Sequence, residues 1–188
     1  MRRAQLEHAI RAACSIAEID SVVIVGSQSI LGSFSDAELP DIATRSAEVD
    51  ILPDLPEVLR IRELADRIEV IAGEMSLFEV QHGFALDGVD DTTCALASGW
   101  RERLVAVRTE GTRDVQTGQQ YTGWCLSPED LCVAKLCAGR EKDRRFVAAL
   151  IAEGLVDSAR IRHLLRDVED RHRAASERAV AEFFPETR

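Results

Sequence analysis

At 188 residues, 46% apolar and 30% charged, the chain suits one soluble domain, or a compact domain with a helical extension. A net charge of −10 excludes an indiscriminate nucleic-acid binder, and no apolar run approaches the roughly 20 residues of a membrane span. Residues 127–188 hold 12 basic and 12 acidic side chains, so all the excess acid lies in the first two thirds, where a cation site is expected. Cysteines at 14, 94, 125, 132 and 137 show no CxxC spacing and make no zinc signature with four scattered histidines. They read as small buried side chains in a reducing cytoplasm.

Along residues 1–18, Leu6, Ile10, Ala13 and Ala17 recur at helical spacing. With Glu7 and His8 inside that pattern, the stretch predicts an amphipathic helix rather than a signal peptide. In VVIVGSQSILG, Val22 to Val25 is β-branched and unbroken, a strand covered on both faces, and Ser27 to Leu31 opens a short helix. Residues 33–46 read as a loop, and AEVDILP as a strand stopped by Pro53. Residues 55–73 predict a helix ending at Gly73, with a shorter one near 74–81. Extended pieces are expected at 83–86, 92–96, 103–107 and 121–126, with a loop at 111–118. Ser127-Pro-Glu-Asp then starts a helical region: serine caps, proline takes the first position, and two acids meet the positive end of the helix dipole. The arginines at 160, 162, 166, 171, 173 and 178 alternate with acids and read as a solvated face.

Residues i and i+2 of a strand share a face, so Glu48 and Asp50 project together with Val49 behind them. Two such carboxylates repel unless a cation holds them, and hard oxygen ligands suit Mg²⁺. A solvated strand edge accounts for Glu-x-Asp equally well. Gly26-Ser27 at the end of a buried strand adds a place for backbone and hydroxyl to meet phosphate oxygens. An ordinary strand-to-helix turn is the alternative. A dinucleotide site is set aside because Gly26-Ser-Gln-Ser lacks the second glycine of GxGxxG.

VGSQ followed by the EVD strand resembles the hydrophobic-Gly-(Gly/Ser)…Asp-x-(Asp/Glu) signature of the nucleotidyltransferase superfamily, whose fold is shared with DNA polymerase beta. LSPEDLCVAKLCAGREKDRRFVAALI is similar to the helical segment of bacterial AbiEii-like proteins, including toxins of type IV toxin–antitoxin systems. The resemblance spans residues 20–155. It implies an α/β (α+β) fold: a small mixed sheet in a core of residues 1–126, with a helical region of residues 127–188 packed on it. It implies transfer of a nucleoside monophosphate from a nucleoside triphosphate to an acceptor (RNA, protein or small molecule), Mg²⁺ or Mn²⁺ as cofactor, and an antitoxin as a partner of the toxin members.

Residue by residue, Gly26, Ser27 and Ser29 would lie at the nucleotide phosphates, and Glu48 and Asp50 would ligate the metal. Lys135 would reach the triphosphate, with Arg140, Lys142 and Asp143 beside it. The superfamily's third carboxylate, a base or metal ligand on a later strand, is assigned to Asp87, with Asp90 and Asp91 as rivals. The family's usual aspartate is replaced by Glu48 here. That departure leaves a second reading open: a protein that keeps the fold and binds nucleotide or a partner without transfer.

Overall fold

The computed structural model describes residues 1–184. Its helices are α1 (Arg3–Ala17), α2 (Asp41–Thr44), α3 (Val58–Ala72), α4 (Leu77–His82), α5 (Pro128–Ala138), α6 (Glu141–Ala152), α7 (Ser158–Leu165) and α8 (Arg173–Phe183). Its strands are β1 (Ser21–Ile24), β2 (Glu48–Pro53), β3 (Ala85–Gly88), β4 (Val105–Val107) and β5 (Thr122–Cys125). They form one mixed sheet in the order β3-β2-β1-β5-β4, the α+β architecture expected. β1 runs antiparallel to β2 and parallel to β5, while β2 and β3 are parallel. A dinucleotide fold needs parallel strands flanking its glycine turn, so this topology also rules that alternative out.

Burial follows the sequence periods. α1 buries Leu6, Ala9, Ile10, Ala13, Cys14 and Ala17, one stripe at three- and four-residue steps. It packs with α3, whose Ile61, Leu64, Ala65 and Ile68 form a matching stripe. β1 is central and buries Val22, Val23 and Ile24 in succession, as a strand covered on both faces must. Gly88 ends β3 where a Cβ would lie 1.9 Å from the Ala65 carbonyl oxygen, so its missing side chain lets α3 lie close to the strand.

α5 is buried from Asp130 through Leu136, against α6, α7, α8 and the 3-10 turn after β1. Ser127 caps it, accepting from the Asp130 amide at 3.2 Å. Asp130 is wholly buried and takes a two-pronged ion pair from Arg103, with Nε and Nη2 each at 2.8 Å. Ser98 N donates to the Asp167 carbonyl at 2.8 Å, fastening the helical region back onto the core.

Two expectations need correction. Residues 92–96 are turns, not a strand, because Asp90 Oδ1 accepts from Thr92 N (2.9 Å) and Thr92 Oγ1 (2.5 Å) and folds the chain over. The loop at 33–46 contains α2, whose Ala43 is buried.

Candidate active site

The site begins at a strand register. β2 and β3 pair with Asp50 opposite Asp87 and Glu48 opposite Ala85. Adjacent parallel strands lie roughly 4.8 Å apart, and register partners share a face. Asp50 and Asp87 are thus neighbours, with Glu48 two residues along the same face and Val49 in the core behind. Asp90 instead pairs with Arg62 at 3.0 Å. Asp91 is exposed, in a turn beyond the strand.

Gly26 supplies the third side. A Cβ there would stand 1.4 Å from Asp50 Oδ2, so the Asp50 carboxyl fills the space that a side chain at position 26 would take. Its φ of −91° is open to any residue, so contact alone requires the glycine. Val25 N donates to the Asp50 carbonyl at 3.2 Å and fixes the two strand ends together.

Each of these acids is held short of full charge. Burial, then Asp50, Glu48 and Glu69, push the Asp87 carboxyl up to about 7, and a hydrogen bond with Glu69 adds to this. Burial raises Asp50 too, against the pull of Lys135, Arg140 and Lys142. Partial burial raises Glu48, followed by Asp50, Glu69 and Glu74, with Lys142 opposing. Among the described residues, no group of three or more His, Cys, Asp or Glu side chains is placed to hold a metal ion. Asp50 and Asp87 form an open pair instead. A desolvated pair of hard oxygen donors fits Mg²⁺, which usually keeps several waters and engages substrate phosphates.

The basic side is already organised. Lys135 Nζ donates to Ser27 Oγ at 2.9 Å and to Asp143 Oδ1 at 3.0 Å, and sits 4.3 Å from the Phe146 ring centroid. Arg140 Nε donates to the other Asp143 oxygen at 2.5 Å. Burial alone would raise Asp143, but the Arg140 hydrogen bond and the Lys135 charge hold it below the usual range. At 1% exposure, with both oxygens taken, Asp143 anchors the two cations from behind.

Two clefts meet at this cluster and share Ser27, Asp50, Lys135 and Arg140. The smaller, about 220 Å³, is walled by Val25, Leu131 and Ala134 and rimmed by Thr93, Cys94 and His172. The Cys94 thiol is pushed up to about 12, by burial first and Asp50 second, so it is inert as a nucleophile. The larger, about 650 Å³, runs past Glu48 between Arg45, Lys142 and Arg145. Ser29, expected beside the phosphates, is fully buried and lines neither of these clefts.

Arg45, Arg145, Glu69 and His172 escaped the sequence reading. Arg45 and His172 lie in stretches without periodicity, and Glu69 and Arg145 look like solvated helix positions. Only the tertiary fold brings them here. Glu69 Oε2, for instance, accepts from Gly88 N at 3.3 Å, next to Asp87.

A family model places the chain among the nucleotidyltransferases, a class that its five-stranded mixed sheet fits. Within that class it belongs to the family DUF6036, described as "Nucleotidyltransferase of unknown function", whose model matches residues 4–186. The match runs from α1 to beyond α8, so sheet and helices together make up the family unit. No curated protein and no solved structure matches the chain.

Proposed function

We propose that the protein transfers a nucleoside monophosphate from a nucleoside triphosphate to an acceptor hydroxyl, with Mg²⁺ or Mn²⁺ as cofactor. The observation that carries this reading is the desolvated Asp50–Asp87 pair beside Gly26, with Lys135 fixed on Ser27. Asp50 and Asp87 would hold the metal, with Glu48 at the rim. When bound, the ion neutralises triphosphate charge and lowers the pKa of the acceptor hydroxyl.

The chain's own groups do the rest. Lys135 and the Ser27 hydroxyl bind the triphosphate, and Arg140 and Lys142 add charge where pyrophosphate departs. With Asp87 engaged as a metal ligand beside Asp50, the acidified acceptor hydroxyl gives its proton to solvent water. The acceptor oxygen bonds to the α-phosphorus, the α–β bridging P–O bond breaks, and pyrophosphate leaves with the electron pair. Arg45, Lys142 and Arg145 make the larger cleft suited to an anionic acceptor such as RNA.

The likeness to AbiEii-like proteins adds a finer reading: a toxin of the bacterial cytoplasm, countered by an antitoxin. Growth arrest on induction of the wild type, relieved in Asp50→Asn, is the result expected. For the chemistry itself, incubation with α-labelled triphosphates, Mg²⁺, RNA and protein should label one acceptor. Asp50→Asn should remove that label at least 100-fold while the protein stays folded; undiminished labelling ends the proposal.

The open, two-carboxylate arrangement with Glu48 at its rim favours one alternative, a nucleotide-binding protein without transfer. Tight, Mg²⁺-dependent triphosphate binding with every acceptor left unlabelled selects it.

A further inference from the structure

The corner between α3 and α4 carries apolar side chains that the fold leaves uncovered. Val70, Met75, Leu77 and Val80 are 82, 86, 87 and 79% exposed, and Ile71 is half exposed. Scattered apolar residues on a surface are ordinary, but five of these large ones fall within the stretch Val70–Val80. Leu77 and Val80 lie one turn apart on the outer face of α4.

That face is held in place. Ser76 Oγ accepts from Glu79 N at 3.1 Å, and Glu79 Oε2 accepts from Met75 N at 2.7 Å. On the inner side Phe78 meets Phe84 edge-on at 5.3 Å, within a ring cluster completed by His8 and His82. Met75 has a φ of 62°, a left-handed backbone that favours glycine, yet it bears a long apolar side chain in solvent.

Charge says what could cover this surface. Residues 68–82, which make the corner, contain Glu69, Glu74 and Glu79 and no lysine or arginine. Nucleic acid and anionic membrane are repelled there. A second copy of the chain is a poor fit, because even its least acidic part, residues 127–188, carries as many acids as bases. A protein helix with apolar residues at three- and four-residue spacing and lysine or arginine along its flanks satisfies both the apolar centre and the acidic rim.

We propose that the α3–α4 corner is a docking surface for a basic amphipathic helix of a partner protein. It adjoins the candidate active site, since Glu69 touches the backbone of Gly88 beside Asp87. Docking itself requires no nucleotidyl transfer, so its failure and the failure of the catalytic reading are separate results.

The chain's two methionines, Met1 and Met75, give a direct test by methyl NMR of the full protein labelled at methionine Cε. Titration with an amphipathic Leu–Lys helical peptide should move the Met75 signal to saturation and leave Met1 in place. The same peptide with glutamate for lysine should move neither. The double variant Leu77→Ser, Val80→Ser changes only solvent-facing positions and should weaken the Leu–Lys peptide roughly tenfold. Equal response to both peptides, no response to either, or unchanged affinity in the double variant overturns the proposal. So does a Met75 signal that moves with protein concentration alone, which assigns the surface to self-association.

Discussion

Two parts of the molecule bury acidic groups and treat them in opposite ways. On the helical side, Asp130 is closed off by both prongs of Arg103 and by the Ser127 hydroxyl at 2.6 Å, and Asp143 is divided between Lys135 and Arg140. On the sheet side, Asp50 and Asp87 lie side by side; burial raises both, and the Asp50 charge raises Asp87 further. A buried charge with every acceptor site filled is part of the scaffold, whereas a buried charge left in deficit marks where a ligand belongs. Carboxylate burial alone would not separate the two. The partner inventory does.

The largest expected effect breaks the closed side. Arg103→Ala leaves Asp130 buried without its cation, and should destabilise the fold by about 3 kcal/mol. In thermal unfolding this is a fall of roughly 6–12 °C for a chain of this size. A fall under about 2 °C would show that Asp130 is solvated and the contrast unfounded.

Next comes the seam between the two sides. Gly26→Ala puts a Cβ on the Asp50 carboxyl, which must move. Overpacking of this kind should cost about 2 kcal/mol, and metal-dependent triphosphate affinity should fall with it. Isothermal titration with Mg²⁺ present measures the affinity directly.

The smallest effect has the opposite sign. Folded Asp87 holds its proton up to about pH 7, against 3.8 for the free side chain. The folded state therefore binds more protons than the unfolded state between those values, and metal-free stability is lost as pH rises from about 4 to about 7. Asp87→Asn should flatten this profile. Discounted for solvent screening, it should stabilise the metal-free protein by about 1 kcal/mol at pH 8 and by little at pH 4. Chemical denaturation at both pH values, in EDTA, checks the sign. A variant less stable than wild type at pH 8 would place a countercharge at Asp87.

Much of the frame was legible because its signals are local. The β-branched run of β1, the alternation in β2 and the Ser-Pro-Glu-Asp start of α5 each sit within a few residues. Asp87 could be preferred, but its rivals Asp90 and Asp91 could not be dismissed, because that needs the β2–β3 register, a pairing nearly forty residues apart. Ser29 shares the polar character of Ser27, yet the 3-10 turn faces it into the core. Asp143 was placed beside Lys135 by resemblance alone, and its burial follows only from the packing of α6 on α5. Arg45 and Glu69 join the site through packing between distant elements, which leaves no periodic trace.

The contact between position 26 and the Asp50 carboxyl also has a use beyond this molecule. It couples two sites in spelling: a residue larger than glycine at 26 is compatible only with a smaller or redirected residue at 50. When relatives of this chain are compared, the two positions should be read as one letter. A sequence that keeps the aspartate while enlarging the glycine has changed the place of its carboxylate without changing its identity.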